Sequence, residues 1–305
     1  MKGFLLLLII VSTFAVEEED LLLVFNSCKY RVNITDVAKG TSGSPRNFRI
    51  YQPIEIEGKV PVIHFLHGFL LNHIYYDDML THLSSHGFIV ISSQSEHKLI
   101  GGDTTIQESE KVYTFIEWLK DNLASIISVT PDFTNLGISG HSRGCKVMNR
   151  VLNSHPELSL SFFGVDPVDS SAIADPKSLD SPVEFKGESM FIGTKIGREG
   201  IIPCAPNGDN SDSFYAHYPS PSHHIIVADV GHCNMIDQND LAACGLFCSI
   251  CFGNSNQSVR EQFIVYTGGL MAAFFSSTLK GETEYNSLLN DTSNHPFSTS
   301  LVENK

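Results

Sequence analysis

The segment LGISGHSRGCKVM, at residues 136–148, places the strongest constraint on what this chain can fold into. A short apolar run ends at Gly140, a helical pattern begins after Ser142, and Gly144 follows two residues later. A serine between two glycines, at a junction from strand to helix, is typical of a nucleophile elbow, a turn too sharp for side chains at the glycine positions. Such a turn lifts the serine hydroxyl above the sheet, beside the N-terminus of the next helix.

The rest of the chain alternates between strand-like and helix-like segments. Val60–Phe65 and Phe88–Ser92 are continuous apolar runs, as expected of strands buried on both faces. Residues 105–123 have apolar positions at helical spacing, and 260–279 form a long apolar helix. Further strands are predicted at 47–56, 136–138, 159–166, 189–193 and 223–229, and further helices at 75–85 and 143–153. This alternation predicts an α/β protein with a mainly parallel central sheet flanked by helices.

Length, charge and the N-terminus define the broad class. The 305 residues are 42% hydrophobic, enough for one large core, and the net charge of −14 argues against a nucleic-acid partner. The N-terminus MKGFLLLLIIVSTFAVEEED predicts a signal peptide over 1–15, with an uncleaved anchor as the alternative. We expect a secreted protein, or one in the lumen of the secretory or endolysosomal pathway. Its main domain should span 45–282, between an N-terminal segment (16–44) and a C-terminal tail (283–305), both loosely ordered.

Seven cysteines in an oxidising compartment favour disulfides. Because seven is odd, at least one thiol is free or pairs between chains, and Cys145, in the apolar first turn of a helix, is the candidate. The cluster around Cys248 and Cys251 predicts disulfides between loops; a metal site is the alternative, although no second pair at zinc spacing follows. Glycosylation sequons begin at Asn33, Asn256 and Asn290.

A reactive serine needs a base, and the base needs an orienting acid. In folds with this elbow, the chain order is serine, acid, histidine. His232 lies in VADVGHCNM, between the last predicted strand and the closing helix, where this order places the base. Asp166 ends a predicted strand and should point to the same sheet edge as Ser142. Asp169 is the close alternative for the acid, and Asp229 a weaker one, because it shares a strand end with His232.

The oxyanion formed when a serine attacks a carbonyl requires preorganised N–H donors. One predicted donor is the backbone amide of Arg143, the residue after the serine. The second is expected in LHGFLLNH, the loop after the early buried strand, where Gly68 lets the backbone turn closely over the site. We predict the amide of Phe69 as this donor. Such chemistry requires neither a metal nor an organic cofactor.

Several motifs, in order over roughly residues 45–280, together resemble the chlorophyllases: FLHGFLLNHIYYDDMLTHLSSHGFIVISSQ, GHSRG, GVDPVD, CAPNGDNSDSFY, ADVGHCNMID and GGLMAAF. The resemblance implies an α/β-hydrolase fold and a serine esterase. It implies Ser142, Asp166 and His232 as nucleophile, acid and base, and so favours Asp166 over Asp169. One departure is Cys145, because the family usually carries a glycine after GHSRG.

The resemblance and the leader together predict a secreted carboxylic ester hydrolase that cleaves a small apolar ester through an acyl-enzyme. Apolar residues in the loops HGFLLNHIYY and LAACGLFCSICFG agree with such a substrate, although they would also suit packing beneath the loops. The alternatives are a lipase, a polyester hydrolase or an esterase similar to the platelet-activating-factor acetylhydrolases, with contact to a lipid surface as an option. Peptidase or thioesterase chemistry shares the same residues. An inactive binding protein on this scaffold is the alternative from another class.

Overall fold

A mainly parallel sheet crosses the molecule, as seen in a computed structural model that describes residues 18–98, 102–170, 175–199, 203–237, 251 and 253–305. Nine strands within these ranges form it in the order β1-β2-β4-β3-β5-β6-β7-β8-β9. Their bounds are β1 Val32–Val37, β2 Phe48–Pro53, β3 Lys59–Leu66, β4 Ile89–Ser93, β5 Thr130–His141, β6 Ser161–Val165, β7 Glu188–Thr194, β8 Ser222–Val227 and β9 Thr299–Asn304. The strands from β4 to β8 in this order are parallel to one another, whereas β2 pairs antiparallel with both β1 and β4, and β9 pairs antiparallel with β8. The predicted fold class is confirmed.

Helices connect most of the strands and cover both faces of the sheet. Their bounds within the described ranges are α1 Glu18–Leu22, α2 Asp77–Ser85, α3 Thr105–Asn122, α4 Arg143–Ser154, α5 Ser211–His217, α6 Gln257–Phe275 and α7 Asn286–Asn290. Residues 276–280 continue α6 as a π-helical turn. The two long helices α3 and α6 were predicted from apolar spacing, and their ends lie within a few residues of the prediction.

The alternation of side chains along β3 explains why helices pack on both faces. Ile63 and Phe65 point to one side, into a core shared with α2 and α6. Val62 and Leu66 point to the other side, into a core shared with α3, α4 and α5. Since successive strand residues face opposite sides, a strand with apolar side chains on both faces must be covered twice.

The connections that follow β3 and β5 run to opposite sides of the sheet. From β3 the chain passes through α2 to β4 on one side, and then through α3 back across to β5 on the other side. The carboxyl ends of β3 and β5 are therefore adjacent, with connections that leave in opposite directions. Open α/β sheets bind their ligands at such a switch point.

Helix α6 packs beneath the sheet on the α2 side. Among the described residues, the stretch Gln257–Lys280 has the length and apolarity of a membrane span, and most of it is buried inside the molecule. Its burial against α2 and the sheet accounts for the apolar pattern that the sequence shows there.

The sheet extends beyond the predicted domain limits of 45 and 282. β1 lies within the segment 16–44 and pairs with β2, and β9 lies within 283–305 and pairs with β8. Our expectation that both segments are loosely ordered is therefore wrong. Both strands lie at sheet edges and mix polar with apolar side chains, most of them exposed or half-buried, so their sequences lack the apolar runs that identify central strands. The predicted signal peptide at 1–15 lies outside the described residues.

His64 is a polar group inside the sheet. Its ring is fully buried, Nε2 lies 2.8 Å from the hydroxyl of Ser93, and Nδ1 has no hydrogen-bond partner in the described part of the chain. Burial, with the nearby charge of Arg46, lowers the pKa of His64 to about 3. Between that value and the ordinary histidine pKa of 6.5, the unfolded chain binds a proton that the folded protein does not.

Replacing His64 with glutamine should make stability less sensitive to acid. In the wild type, the contribution of neutral His64 to the free energy of unfolding is fully present above pH 6.5. It is lost as the pH falls towards 3, because the unfolded chain then binds a proton that the folded protein does not. The free energy of unfolding is measured by urea denaturation at several pH values from 4 to 6. We expect its slope against pH to be smaller in His64→Gln than in the wild type, and the difference between the two slopes to be about 1.4 kcal/mol per pH unit. Equal slopes for the two proteins would contradict this assignment.

Candidate active site

The elbow, residues 140–144, joins the end of β5 directly to the start of α4. Ser142 has φ 55° and ψ −124°, a conformation that a residue with a side chain rarely adopts. Three backbone hydrogen bonds hold it there: the Ser142 amide donates to the Val165 carbonyl, and the Ser142 carbonyl accepts from the amides of Cys145 and Val168. The strained turn therefore comes from the packing around it, as the glycine pattern predicts.

The two flanking glycines are required by close backbone contacts. A Cβ atom at Gly144 would lie 2.1 Å from the carbonyl oxygen of Leu66, at the end of β3. A Cβ atom at Gly140 would lie 2.7 Å from the carbonyl carbon of Gly144. Because both contacts are with backbone atoms, a side chain at either position could be accommodated only by moving α4 away from the sheet.

The structure brings together the three side chains predicted from the order serine, acid, histidine. Ser142 Oγ lies 2.9 Å from Nε2 of His232, and Nδ1 of His232 lies 2.7 Å from Oδ2 of Asp166. A carboxylate only accepts, so Nδ1 carries the proton and Nε2 accepts from the serine hydroxyl. The three residues follow the carboxyl ends of β5, β6 and β8, at one edge of the sheet.

Asp166 is held by a neighbouring strand end as well as by His232. Its carboxylate is fully buried and accepts from the Thr194 amide at 2.9 Å and the Thr194 hydroxyl at 2.7 Å. A buried carboxylate is retained only when hydrogen bonds replace its water, and Thr194, the last residue of β7, supplies two. The carboxylate is therefore fixed in the orientation in which it meets the imidazole.

The two alternative acids lie elsewhere. Asp169 is buried and accepts from the amides of Ser178 and Leu179 and from the Ser178 hydroxyl, so it anchors its own loop. Asp229 is exposed, in the turn after β8. Of the three candidates, only Asp166 hydrogen-bonds to His232 in the described structure.

The loop that carries His232 is tied down by Asn234 and by a disulfide. Asn234 Oδ1 accepts from the amides of Gly231 and Asn254, and its Nδ2 donates to the Asn254 carbonyl. The Cys233 amide donates to the carbonyl of Cys251, which is disulfide-bonded to Cys204. The predicted loop disulfide is thus present, and Cys251 is not available as a metal ligand.

The cysteine predicted to be free is a free thiol. Cys145 lies in the first turn of α4, fully buried, and its Sγ donates to the Gly140 carbonyl at 2.9 Å. Burial raises the pKa of this thiol well above its usual value. Of the other described cysteines, Cys28 and Cys233 are also free, while Cys244 and Cys248 lie outside the described residues. The residue that replaces the family glycine therefore packs beneath the elbow.

The Arg143 side chain leaves the elbow towards α3. Its guanidinium donates to the carboxylate of Glu108 at 2.5 Å and to the carbonyl of Asp103 at 3.1 Å. Glu108 is almost completely buried. Arg143 is also the first residue of α4, so this ion pair fixes the end of the helix whose backbone amide faces the elbow.

The loop after β3 lies against the elbow, as predicted. A Cβ atom at Gly68 would lie 3.1 Å from the Cβ atom of Ser142. The Gly68 amide donates to the Tyr76 hydroxyl, and the Leu70 amide donates to Nε2 of His97. The Phe69 ring, between these two residues, stacks on His97 with a centroid separation of 5.0 Å.

Two residues that hold the site together were not among the predicted ones. Thr194 fixes Asp166, and Asn234 fixes the His232 loop, although neither follows from the order rule for serine, acid and histidine. The sequence does contain a partial indication of the role of each residue. Thr194 is a polar residue at the carboxyl end of a central strand, and Asn234 lies two residues after the predicted base.

The fold and the strained serine turn define an α/β-hydrolase. A family model for chlorophyllase matches residues 21–305. The chain is similar to chlorophyllase-1 of Arabidopsis thaliana, with 30% identity over 274 residues and 82% of each chain covered. It is similar to chlorophyllase-2 of the same plant, with 29% identity over 282 residues and 86% of each chain covered. Chlorophyllase type 0 of Chenopodium album is 26% identical over 282 residues, 85% of this chain and 79% of that one.

This chain belongs to the chlorophyllase family, and it is a carboxylic ester hydrolase. The match begins at residue 21 and continues to the last residue, so it includes both edge strands that lie outside the domain limits predicted from the sequence.

Substituting Gly144 with alanine should destabilise the protein strongly, because the new methyl group would overlap the carbonyl of Leu66. We expect a loss of about 3 kcal/mol or more in the free energy of unfolding, measured by urea denaturation. Gly58→Ala is the matched control: it has φ 85° and no described atom within 4 Å of the added carbon, so backbone strain alone costs about 1–2 kcal/mol. Equal losses in the two variants would show that the close contact is not limiting.

Proposed function

We propose that this protein is a secreted serine esterase that cleaves a small apolar ester by acyl transfer at Ser142. The observation that carries the proposal is the unbroken hydrogen-bonded series from the Ser142 hydroxyl through the His232 imidazole to the Asp166 carboxylate. These three groups in this order are the parts needed to make a hydroxyl nucleophilic. Burial of all three limits competition from water for their hydrogen bonds.

In the first half of the reaction, Ser142 Oγ attacks the ester carbonyl while His232 Nε2 accepts the hydroxyl proton. Asp166 orients the imidazole and stabilises its positive charge. His232 then donates the proton to the departing alcohol, which leaves the acyl group on Ser142. In the second half, His232 Nε2 takes a proton from water as the water oxygen attacks the acyl carbon. His232 then returns this proton to Ser142 Oγ as the bond between Oγ and the acyl carbon breaks, and the carboxylic acid leaves.

The developing oxyanion is assigned to the backbone amides of Arg143 and Phe69. The Arg143 amide lies at the N-terminus of α4, where the helix dipole favours negative charge. The assignment to Phe69 is supported by the position of the preceding Gly68, where an added Cβ atom would lie 3.1 Å from the Cβ atom of Ser142. Donors fixed by the backbone need no reorganisation as charge develops, which is why they lower the barrier effectively.

An apolar ester suits the loop beside the serine. Phe69, Leu70, Ile74 and Tyr75 follow β3 in sequence, and all are partly exposed. Partly exposed apolar side chains next to a reactive group favour an apolar ligand. The relatives are named chlorophyllases, so chlorophyll belongs among the esters to be tested.

Replacing Ser142 with alanine should abolish ester hydrolysis while the protein stays folded, because it removes only the nucleophilic oxygen. The assay compares wild type and Ser142→Ala on p-nitrophenyl acetate, butyrate and palmitate, and on chlorophyll with chlorophyllide as the measured product. We expect a decrease in kcat of at least about 10⁴-fold. The wild type should prefer the longer acyl chains. Retention of activity in Ser142→Ala would assign the reaction to another residue.

Passage through the secretory pathway is supported by three independent features. The leader at residues 1–15 has the composition of a signal peptide. The disulfide between Cys204 and Cys251 is typical of oxidising compartments. All three sequon asparagines, Asn33, Asn256 and Asn290, are exposed, as an oligosaccharide requires.

Expression of the full chain in a eukaryotic host should yield a glycosylated protein in the medium. Treatment with peptide N-glycosidase F should increase its gel mobility, and Asn33→Gln should remove one glycan. A version that lacks residues 1–15 should stay inside the cell without glycans. Recovery of the full chain only in the cytosol, with mobility unaffected by the glycosidase, would contradict the proposed route.

A further inference from the structure

A buried chain of hydrogen bonds, separate from the Ser142–His232–Asp166 series, joins the three loops of the site. The Gly68 amide donates to the Tyr76 hydroxyl oxygen at 3.3 Å. The same hydroxyl lies 2.8 Å from Nδ1 of His141, and Nε2 of His141 lies 3.0 Å from the backbone carbonyl of His232. Tyr76 and His141 are both completely buried. We call the pair Tyr76 and His141 the brace.

The direction of each proton in the brace follows from its partners. A carbonyl only accepts, so His141 Nε2 carries a proton and donates it to His232. Burial and the neighbouring His232 lower the pKa of His141 well below its ordinary value, so the ring is neutral and its Nδ1 accepts from the Tyr76 hydroxyl. Each polar side-chain atom of the brace therefore has a hydrogen-bond partner, and only the His141 tautomer with the proton on Nε2 fits these partners.

We infer that Tyr76 and His141 are positioning residues for ester hydrolysis, which fix the main chain of His232 and Gly68 relative to the serine between them. The inference rests on the proposed function. It follows from the connections: one end of the brace holds the loop that carries the base, and the other holds the loop that carries a proposed oxyanion donor. His141 directly precedes Ser142, so the centre of the brace is covalently joined to the nucleophile.

The brace acts on geometry and does not touch the reacting atoms. The rings of His141 and His232 have centroids 4.7 Å apart, close enough for the packing of one ring to set the position of the other. A Cβ atom at Gly68 would lie 3.0 Å from Nδ1 of His141 and 3.1 Å from the Cβ atom of Ser142, so the backbone of this loop passes close to both residues. Small displacements of a catalytic group lower the rate steeply, because the reacting atoms must be aligned before the barrier is crossed. Loss of the brace should therefore reduce kcat more than it affects KM.

The test compares Tyr76→Phe with the same substitution at a buried tyrosine outside the site. Tyr76→Phe removes one hydroxyl and leaves the ring. Tyr218→Phe is the matched control, because Tyr218 is also buried and its hydroxyl donates to Asn149 at 2.8 Å, on the opposite side of the sheet. We expect both variants to lower Tm by similar amounts. On p-nitrophenyl butyrate, kcat should decrease about tenfold or more in Tyr76→Phe, with KM within threefold of wild type. In Tyr218→Phe, kcat should stay within twofold.

Two substitutions of His141 provide a second measurement, which is decisive if Tyr76→Phe does not fold. His141→Phe keeps a ring and removes both nitrogens. His141→Gln keeps a side-chain N–H that can reach the His232 carbonyl. We expect His141→Gln to retain at least fivefold more kcat than His141→Phe. In the double variant Tyr76→Phe/His141→Phe, the decrease in kcat should be smaller than the product of the two single decreases, since both changes break the hydrogen bond between Tyr76 and His141.

The possible results separate this inference from the function on which it rests. Wild-type kcat in Tyr76→Phe, or equal kcat in His141→Gln and His141→Phe, would overturn the brace while leaving the serine esterase intact. An inactive wild type, with no difference from Ser142→Ala on any ester, would refute the proposed function itself and the inference with it.

Discussion

The close approach of α4 to the end of β3 is the contact on which the rest of the site depends. Gly144 lies so near the Leu66 carbonyl that no side chain fits between them, and Gly140 lies too close to the Gly144 backbone for a side chain as well. This contact brings the start of α4 directly to the end of β5. Ser142, in the turn between them, can then adopt only a conformation that points its hydroxyl away from both elements. The energetic cost of the strain at Ser142 is offset by packing that the glycines make possible.

The parallel arrangement of β5 to β8 explains how residues far apart in sequence meet at that serine. Carboxyl ends of parallel strands share an edge, and each of these four strands contributes one polar residue there: Ser142, Asp166, Thr194 and His232. Thr194 donates to the Asp166 carboxylate, which also accepts a hydrogen bond from the His232 imidazole. The imidazole in turn accepts a hydrogen bond from the Ser142 hydroxyl. Because the groups are buried, each hydrogen bond is strong, and each would be costly to leave unmade.

The sequence predicted the centre of this arrangement well, because central parallel strands and the elbow leave strong patterns. The runs at 60–65 and 88–92 are apolar on both faces, and the glycine spacing at 140–144 reflects a steric requirement. The edge strands β1 and β9 were missed, since they mix polar and apolar residues and contain no continuous apolar run. The role of Tyr76 was not predictable either, because its partner His141 is 65 positions away in sequence and only the folded chain brings them together.

The central claim, that Ser142 is made nucleophilic by His232 and Asp166, is tested most directly by locating a covalent adduct. The wild-type protein is treated with a fluorophosphonate, digested and analysed by mass spectrometry to find the modified residue. We expect a single phosphonyl group on the tryptic peptide that contains Ser142, and a much slower reaction in His232→Ala. A modification on another residue, or equal labelling rates with and without His232, would contradict the account.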